Sequence, residues 1–267
     1  MLRINIITLF PEFFAPLTLS IPGRAKAAGA VEYRVVDLRE FTHDKHRTVD
    51  DYAFGGGPGM VMKPQPFFEA IDSIGANAPI VLLSPRGKRF AHADAVRFAA
   101  LEEVTFLCGH YKDVDERVAQ QLATEELSLG DFVLSGGEPA ALAIIDAVVR
   151  LLPGAMSDLD SARGDSFYDR GISAPSYTRP PEYRGAAVPA VLLSGDHKRV
   201  QAWRDAEALR RTREAEARDR AEWLLREGTI AERERTIAEL EAVEAKKSAK
   251  RTRKKQAKGR PRGSTEL

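Results

Sequence analysis

The stretch SLGDFVLSGGE, residues 128–138, joins a short polar start to three consecutive apolar side chains, two glycines and a carboxylate. It is not a phosphate loop, because neither G-x-x-x-x-G-K-[ST] nor G-x-G-x-x-G fits it. Two further segments share its character, LLSPRG at 82–87 and CGHYKDVDER at 108–117. Glycines 109, 130, 136 and 137 allow positive φ and close approach of the main chain. Backbone N–H and C=O groups there can read a flat heterocycle such as adenine without charged side chains. Taken alone, Gly136-Gly137 serves equally well to turn the chain into a helix starting near Glu138. A fourth segment, THDKHRTVDDYAFGGGPGM at 42–60, packs His, Asp, Arg and Gly into a connection far longer than usual. Its His43, Asp44, His46, Asp50 and Asp51 match no zinc-ligand spacing and no cysteine accompanies them. The expectation is an active-site loop and no metal site.

These segments need elements to hold them. Short apolar runs at Ile4–Thr8, Val31–Leu38, Ile80–Leu83 and Val104–Cys108, bounded by polar or glycine residues, fit buried strands. Helix-like stretches alternate with them at Pro11–Ala28, Pro64–Ile74, His92–Ala100, Val114–Leu122 and Glu138–Leu151. The pattern predicts an α/β sheet with helices on its faces. In such sheets ligands sit beyond the carboxyl ends of the strands, where three of the four segments fall. Asp158–Tyr183 has little periodicity and reads as a linker or functional loop. From residue 196 a long charged helical region begins, with Val200, Trp203 and Leu209 as a narrow apolar stripe, and a second helix is expected near 229–245.

Composition narrows the class of protein. A chain of 267 residues, 43% hydrophobic, can bury a sizeable core. Its single cysteine, Cys108, excludes an internal disulfide framework and fits a reducing compartment. The start MLRINIITLF is too short an apolar run for a signal peptide, and no run of membrane-spanning length follows, so a cytoplasmic protein without membrane association is expected. The net charge of +1 hides an asymmetry: Lys246–Arg262 holds ten Lys or Arg and no acid, leaving 30 basic and 38 acidic residues in 1–245. The basic end lacks apolar residues and is expected to be disordered, serving solubility or touching nucleic acid.

FTHDKHRTVDD, FGGGPGM, LSPRG, CGHYK-VDER, SLGDFVLSGGE, GDSF, YTRPPEYRG and VPAVLLSGDH, in this order, resemble the bacterial tRNA (guanine-N1)-methyltransferases of the SPOUT superfamily from residue 1 to about 212. The resemblance implies a trefoil-knotted α/β domain over 1–157 and an inter-domain linker over 158–176. It also implies a small all-helical tRNA-binding domain over 177–245, with the basic tail at 246–267. It implies a homodimer with active sites shared between subunits, tRNA as partner, and S-adenosylmethionine as methyl donor. The product is the N1-methylated guanosine just 3′ of the anticodon. Any Mg2+ requirement is left without a dedicated site. Cofactor contacts carry over to Leu83, Ser84, Pro85, Gly109, Tyr111, Ser128, Leu129, Gly130, Asp131, Phe132, Val133, Leu134, Gly136 and Gly137.

Guanine N1 carries a proton, so its methylation needs a base and a group to steady charge appearing on O6. Asp165 matches the family's base and Arg150 the arginine at O6; without the resemblance, Asp165 reads as a helix cap and Arg150 as a helix-end ion pair. Substrate contacts carry over to His46, Arg47, Asp50, Gly55, Gly56 and Gly57 in the long loop. In the helical part they carry over to Tyr177, Arg179, His197 and Lys198. Arg210, Arg211 and Arg213 read either as phosphate contacts or as a solvated face paired with Glu207, Glu214 and Glu216. The chain departs from the family at GHYKDVDER, where relatives have GRYEGIDER, and at Ser173, where many have Asp. Lys112 is therefore expected to face the cofactor's carboxylate or a tRNA phosphate, with Asp113 taking the acidic role.

Overall fold

The computed structural model describes residues 1–76, 79–156, 164–168 and 171–227, with scattered positions up to 243. The chain divides into two compact units, Met1–Tyr168 and Asp169–Leu267. The first is built on a five-stranded parallel sheet. Its strands are β1 (Leu2–Thr8), β2 (Val31–Asp37), β5 (Ile80–Arg89), β6 (Glu103–Cys108) and β8 (Glu125–Ser128), in the order β2-β1-β6-β5-β8. The central strands β1, β6 and the first half of β5 are buried, which explains why they are mostly apolar, whereas the edge strands β2 and β8 carry charged residues. One face packs Ile4, Ile6, Val104 and Phe106 against α1 (Ser20–Ala27), α3 (His92–Ala99) and α4 (Glu138–Val149). The other packs Ile7, Leu82 and Leu107 against Phe67 and Ile71 of α2 (Pro64–Ile74).

The expected α/β architecture is present, with local differences. The predicted helix Pro11–Ala28 is two elements, a 3-10 segment Pro11–Thr18 and α1. Pro22 has no N–H for the carbonyl of Thr18, four residues earlier, and an α-helix cannot pass through that turn unbroken. The predicted helix Val114–Leu122 is also replaced. Its start forms the short strand β7 (Asp113–Val114), and the coil is confined to 116–122, α-helical at 116–117 and a wide π-turn over Val118–Leu122. The cause is long-range pairing: Asp115 N–H donates to the Met62 carbonyl at 3.0 Å, drawing the segment onto β4 (Met60–Met62). β4 also pairs antiparallel with β3 (Asp50–Tyr52), so the 42–60 connection contains a strand hairpin.

β5 runs beyond the predicted Ile80–Leu83. Leu83 and Lys88 are both registered with Leu127 of β8, so residues 84–87 form a bulge between two paired stretches. Lys88 and Arg89 past the bulge are exposed and ion-paired, to Asp94 at 2.8 Å and to Asp131 at 2.7 Å.

In the second unit, β9 (Glu182–Tyr183) and β10 (Ala186–Ala187) form a small hairpin, followed by a 3-10 turn Ala190–Leu193 and the 31-residue helix α5 (His197–Glu227). Asp196 caps α5 by accepting the Arg199 N–H at 3.1 Å. The helix expected near 229–245 is described at only a few positions, helical at 235–240 and 242–243, and the basic tail lies outside the described residues. Among the described residues no helix is long and apolar enough to cross a membrane.

Candidate functional site

β6, β5 and β8 are neighbours in the sheet, and the carboxyl ends of β6 and β8 deliver 109–114 and 129–135 to the place where the β5 bulge presents 84–86. There they enclose a cavity of about 300 Å³. Leu83, Ser84, Pro85, Gly109, Tyr111, Ser128, Leu129, Phe132, Val133, Leu134, Gly136 and Gly137 all line it. Gly130 and Asp131 stand off the lining. Gly130 exchanges hydrogen bonds with the Ser128 hydroxyl, 3.1 Å from its N–H and 3.0 Å to its carbonyl, and so shapes the turn that presents Phe132. Asp131 is engaged by Arg89. The lining also includes Lys112 and Asp113, two of the positions where the chain departs from GRYEGIDER, together with Arg86, His110 and Ser135, which the sequence did not single out as cofactor contacts although each adjoins a residue that it did.

The wall at Gly136-Gly137 is fixed by close packing. Gly137 N–H donates to the Gly109 carbonyl at 2.8 Å, tying the start of α4 to the end of β6. A β-carbon on Gly137 would stand 2.8 Å from Cys108 Cα, against backbone with no freedom to retreat. Gly137 is therefore glycine for close approach, with an ordinary φ of −75°. Behind it Glu138 is buried, 2% exposed, and accepts the Thr8 hydroxyl at 2.8 Å; its other oxygen lies 3.8 Å from His110 Nδ1. Burial, with Glu138 nearby, pushes the Cys108 thiol well above its ordinary range, so it is a packed apolar group and no nucleophile.

No residue of the long loop lines the cavity, although its Gly57 and Gly59 lie against Lys112, which does. Asp44 organises the loop, accepting Thr48 N–H and hydroxyl, each at 2.8 Å, and His46 N–H at 3.0 Å. The Thr48 hydroxyl is the largest influence holding that carboxyl below its ordinary range. Arg47, at φ 54°, donates from Nε to the Arg39 carbonyl at 3.2 Å. Asp50 opens β3, and Gly55, Gly56 and Gly57 take φ of 84°, 79° and 108°, values that L side chains rarely adopt. Phe54 beside them is fully exposed. Among the described residues no group of three His, Cys, Asp or Glu side chains is placed to hold a metal.

Arg150 and Asp165, fifteen residues apart, form an ion pair, with Nη2 and Oδ2 2.5 Å apart. Arg150 follows the last residue of α4, while Gly136-Gly137 at the other end of that helix lines the cavity. Twelve helical residues span about 18 Å at ~1.5 Å each, so the Arg150 backbone stands about a helix length from that of Gly137, and neither Arg150 nor Asp165 lines the cavity.

In the second unit the Tyr177 ring meets that of Trp203 at a tilted angle with centroids 6.3 Å apart, and His197 and Lys198 open α5. Arg179 precedes the small hairpin. Of the arginines on α5, Arg210 is held by Glu207 at 2.6 Å and Glu214 at 2.7 Å, and Arg211 donates to the Ser173 carbonyl at 3.1 Å.

A family model described as "tRNA (Guanine-1)-methyltransferase TrmD" matches residues 2–220. A tRNA (guanine-N(1)-)-methyltransferase from Geobacillus kaustophilus is 48% identical over 215 residues, 79% of this chain and 88% of that one. One from Thermobifida fusca is 47% identical over 238 residues, 84% and 89% of the two chains. One from Frankia alni is 48% identical over 216 residues, 79% and 82%. The matched span takes in every loop around the cavity and the Arg150–Asp165 pair, and the chain belongs to the tRNA (guanine-1)-methyltransferase family.

Proposed function

We propose that this chain methylates N1 of the guanosine immediately 3′ of the anticodon in tRNA, at position 37, with S-adenosylmethionine as donor. The observation that carries the reading is the cavity at three adjacent strand ends, walled by main chain and apolar side chains and suited to a flat heterocycle with a short polar extension. The trefoil knot of the superfamily is proposed to run through the loops that line it. Methyl transfer from a sulfonium to guanine N1 forms a C–N bond and breaks a C–S bond, and the N1 proton must leave. Asp165 is proposed as the base that takes it, with Arg150 steadying the charge that appears on O6. Their direct contact supports this pairing of roles, since N1 and O6 are adjacent on the base and need a proton acceptor and a cation side by side.

Reacting groups must approach to about 3 Å, and within one chain Arg150 follows the far end of α4 and neither it nor Asp165 lines the cavity. That separation supports a homodimer in which the Arg150–Asp165 pair of one copy serves the cavity of the other. The 42–60 loop, with His46, Arg47, Asp50 and Gly55–Gly57, is proposed to meet the target nucleotide. Tyr177, Arg179, His197 and Lys198 are proposed to contact the tRNA backbone, orienting it more than reading its sequence. Substrate and soluble fold together support a cytoplasmic location.

The test is methyl transfer from labelled S-adenosylmethionine to tRNA transcripts with G or A after the anticodon, followed by nucleoside analysis. Label in 1-methylguanosine from the G transcript alone is expected. A ribose-methylated product, or equal transfer to the A transcript, overturns the reading.

A further inference from the structure

Four charged or titratable side chains other than the tyrosine line the cavity: Arg86, His110, Lys112 and Asp113. Two of these are already committed. Arg86 reaches Glu126 from Nε at 2.8 Å and Glu116 from Nη1 at 2.7 Å, and His110 turns Nδ1 inward toward the buried Glu138, 3.8 Å away and without a hydrogen bond, so that it does not offer that nitrogen to the cavity. Lys112 and Asp113 have no ion pair among the described residues. The cavity thus combines apolar and main-chain walls with one available cation and one available anion on consecutive residues. We infer that this lysine and aspartate form a clamp for an amino-acid zwitterion, Lys112 taking the carboxylate of S-adenosylmethionine and Asp113 its ammonium. The inference rests on the cofactor reading above and adds to it which end of the ligand this chain's own residues select.

Both groups are held in place before any ligand arrives. Tyr111 turns the chain at φ 60°, and Lys112 N–H donates to the Met60 carbonyl at 3.1 Å. The lysine stem then lies along the glycine loop: a β-carbon on Gly59 would stand 3.1 Å from Lys112 Cβ and 3.3 Å from Cδ, and one on Gly57 3.7 Å from Nζ. Only glycine leaves this track open, and a lysine lying in it has less rotamer freedom to lose on binding. Asp113 is anchored through β7, and its Oδ1 accepts the Val114 N–H at 2.8 Å, while a carboxylate retains capacity for further donors. A lysine alone would repel the cofactor's sulfonium and ammonium, and the adjacent aspartate supplies the opposite charge.

Three ligands separate the contributions in calorimetric titrations of the full-length protein: S-adenosylmethionine, its decarboxylated form, which keeps the ammonium, and methylthioadenosine, which lacks both groups. Lys112→Ala should weaken S-adenosylmethionine about five- to tenfold and leave the other two within about twofold of the parent. Asp113→Asn, which keeps the acceptor for Val114 N–H, should weaken S-adenosylmethionine and its decarboxylated form by a similar factor and spare methylthioadenosine. Equal losses for all three ligands, no loss for any, or a Lys112→Ala defect confined to tRNA binding overturns the clamp while leaving the cofactor reading intact. A parent protein that binds none of the three overturns both.

Discussion

The strand-end cavity and helix α5 present polar groups to their surroundings in opposite ways. Around the cavity, polarity comes mainly from main chain turned outward at the ends of strands whose own residues are sealed in; Leu107 and Cys108 are fully buried and Leu127 nearly so. Along α5, polarity comes from long side chains bound to one another at i,i+3 and i,i+4 spacing, as Arg210 is to Glu207 and Glu214, and Leu209 between them stays half exposed. Backbone shape inside a packed core transmits any displacement, because close-packed interiors do not yield locally. Exposed ion pairs on one helix are loosely coupled and largely replaceable. Substitutions around the cavity should therefore act far out of proportion to their size, and substitutions along the helix far below it.

The sharpest break of this contrast would come at the Arg150–Asp165 pair, which is as exposed as α5 but is assigned chemistry. Asp165→Asn should retain cofactor binding and lower the single-turnover methylation rate by about 10² to 10⁴, as for a lost general base. Arg150→Ala should lower it by about 10². If both variants turned over like the parent, the pair would be an ordinary surface ion pair and would belong with the α5 ladder.

Gly137→Ala tests the packed region with a single methyl. The new carbon meets the Cys108 and Gly109 backbone, so a loss of about 1–3 kcal/mol in unfolding free energy is expected, with weakened S-adenosylmethionine binding in the same preparation. A variant of parental stability would mean that the α4–β6 junction yields, contrary to the close packing described. The smallest effects belong to the charged region. Deleting 246–267, which removes ten Lys or Arg and one Glu, should leave the thermal midpoint unchanged. The dependence of tRNA affinity on salt should flatten as counterion release is lost. An unchanged salt slope would separate the tail from RNA, and a lowered midpoint would show that it packs.

Much of the cavity was legible because its loops are contiguous in sequence and punctuated by glycine: 109 and 130 follow the ends of strands, and 136–137 precede the helix. What escaped needed a partner strand to exist. β7 is a strand because Met62 offers it a carbonyl, and nothing in VDERVAQQL announces Met62. The continuation of β5 through Lys88 and Arg89 depends on Leu127 pairing twice. The buried Thr8–Glu138 contact joins residues 130 positions apart, and Glu138 by itself reads as an ordinary acid in a first helical turn. Arg150 and Asp165 were singled out only through the resemblance, and their contact was not foreseen, since an arginine at a helix end and an aspartate in a loop carry no mutual signal.

The bulge in β5 has a consequence for how the cavity wall can change. Its two flanks, Leu83 and Lys88, are both fastened to the same residue of β8, so the ends of the 84–87 excursion are brought together by the sheet whatever lies between them. Lengthening a loop whose closure is already enforced costs little, about 0.6 kcal/mol for each doubling. Gly87 is bound to its place, since a β-carbon there would stand 2.5 Å from the Glu126 backbone, and Arg86 is ion-paired to Glu116 and Glu126, while Ser84, Pro85 and Arg86 all line the cavity. Residues inserted among these three would enlarge or reshape the wall without shifting the register of any strand, so the ligand preference of the site can diverge, in nature or by design, while the sheet beneath stays the same.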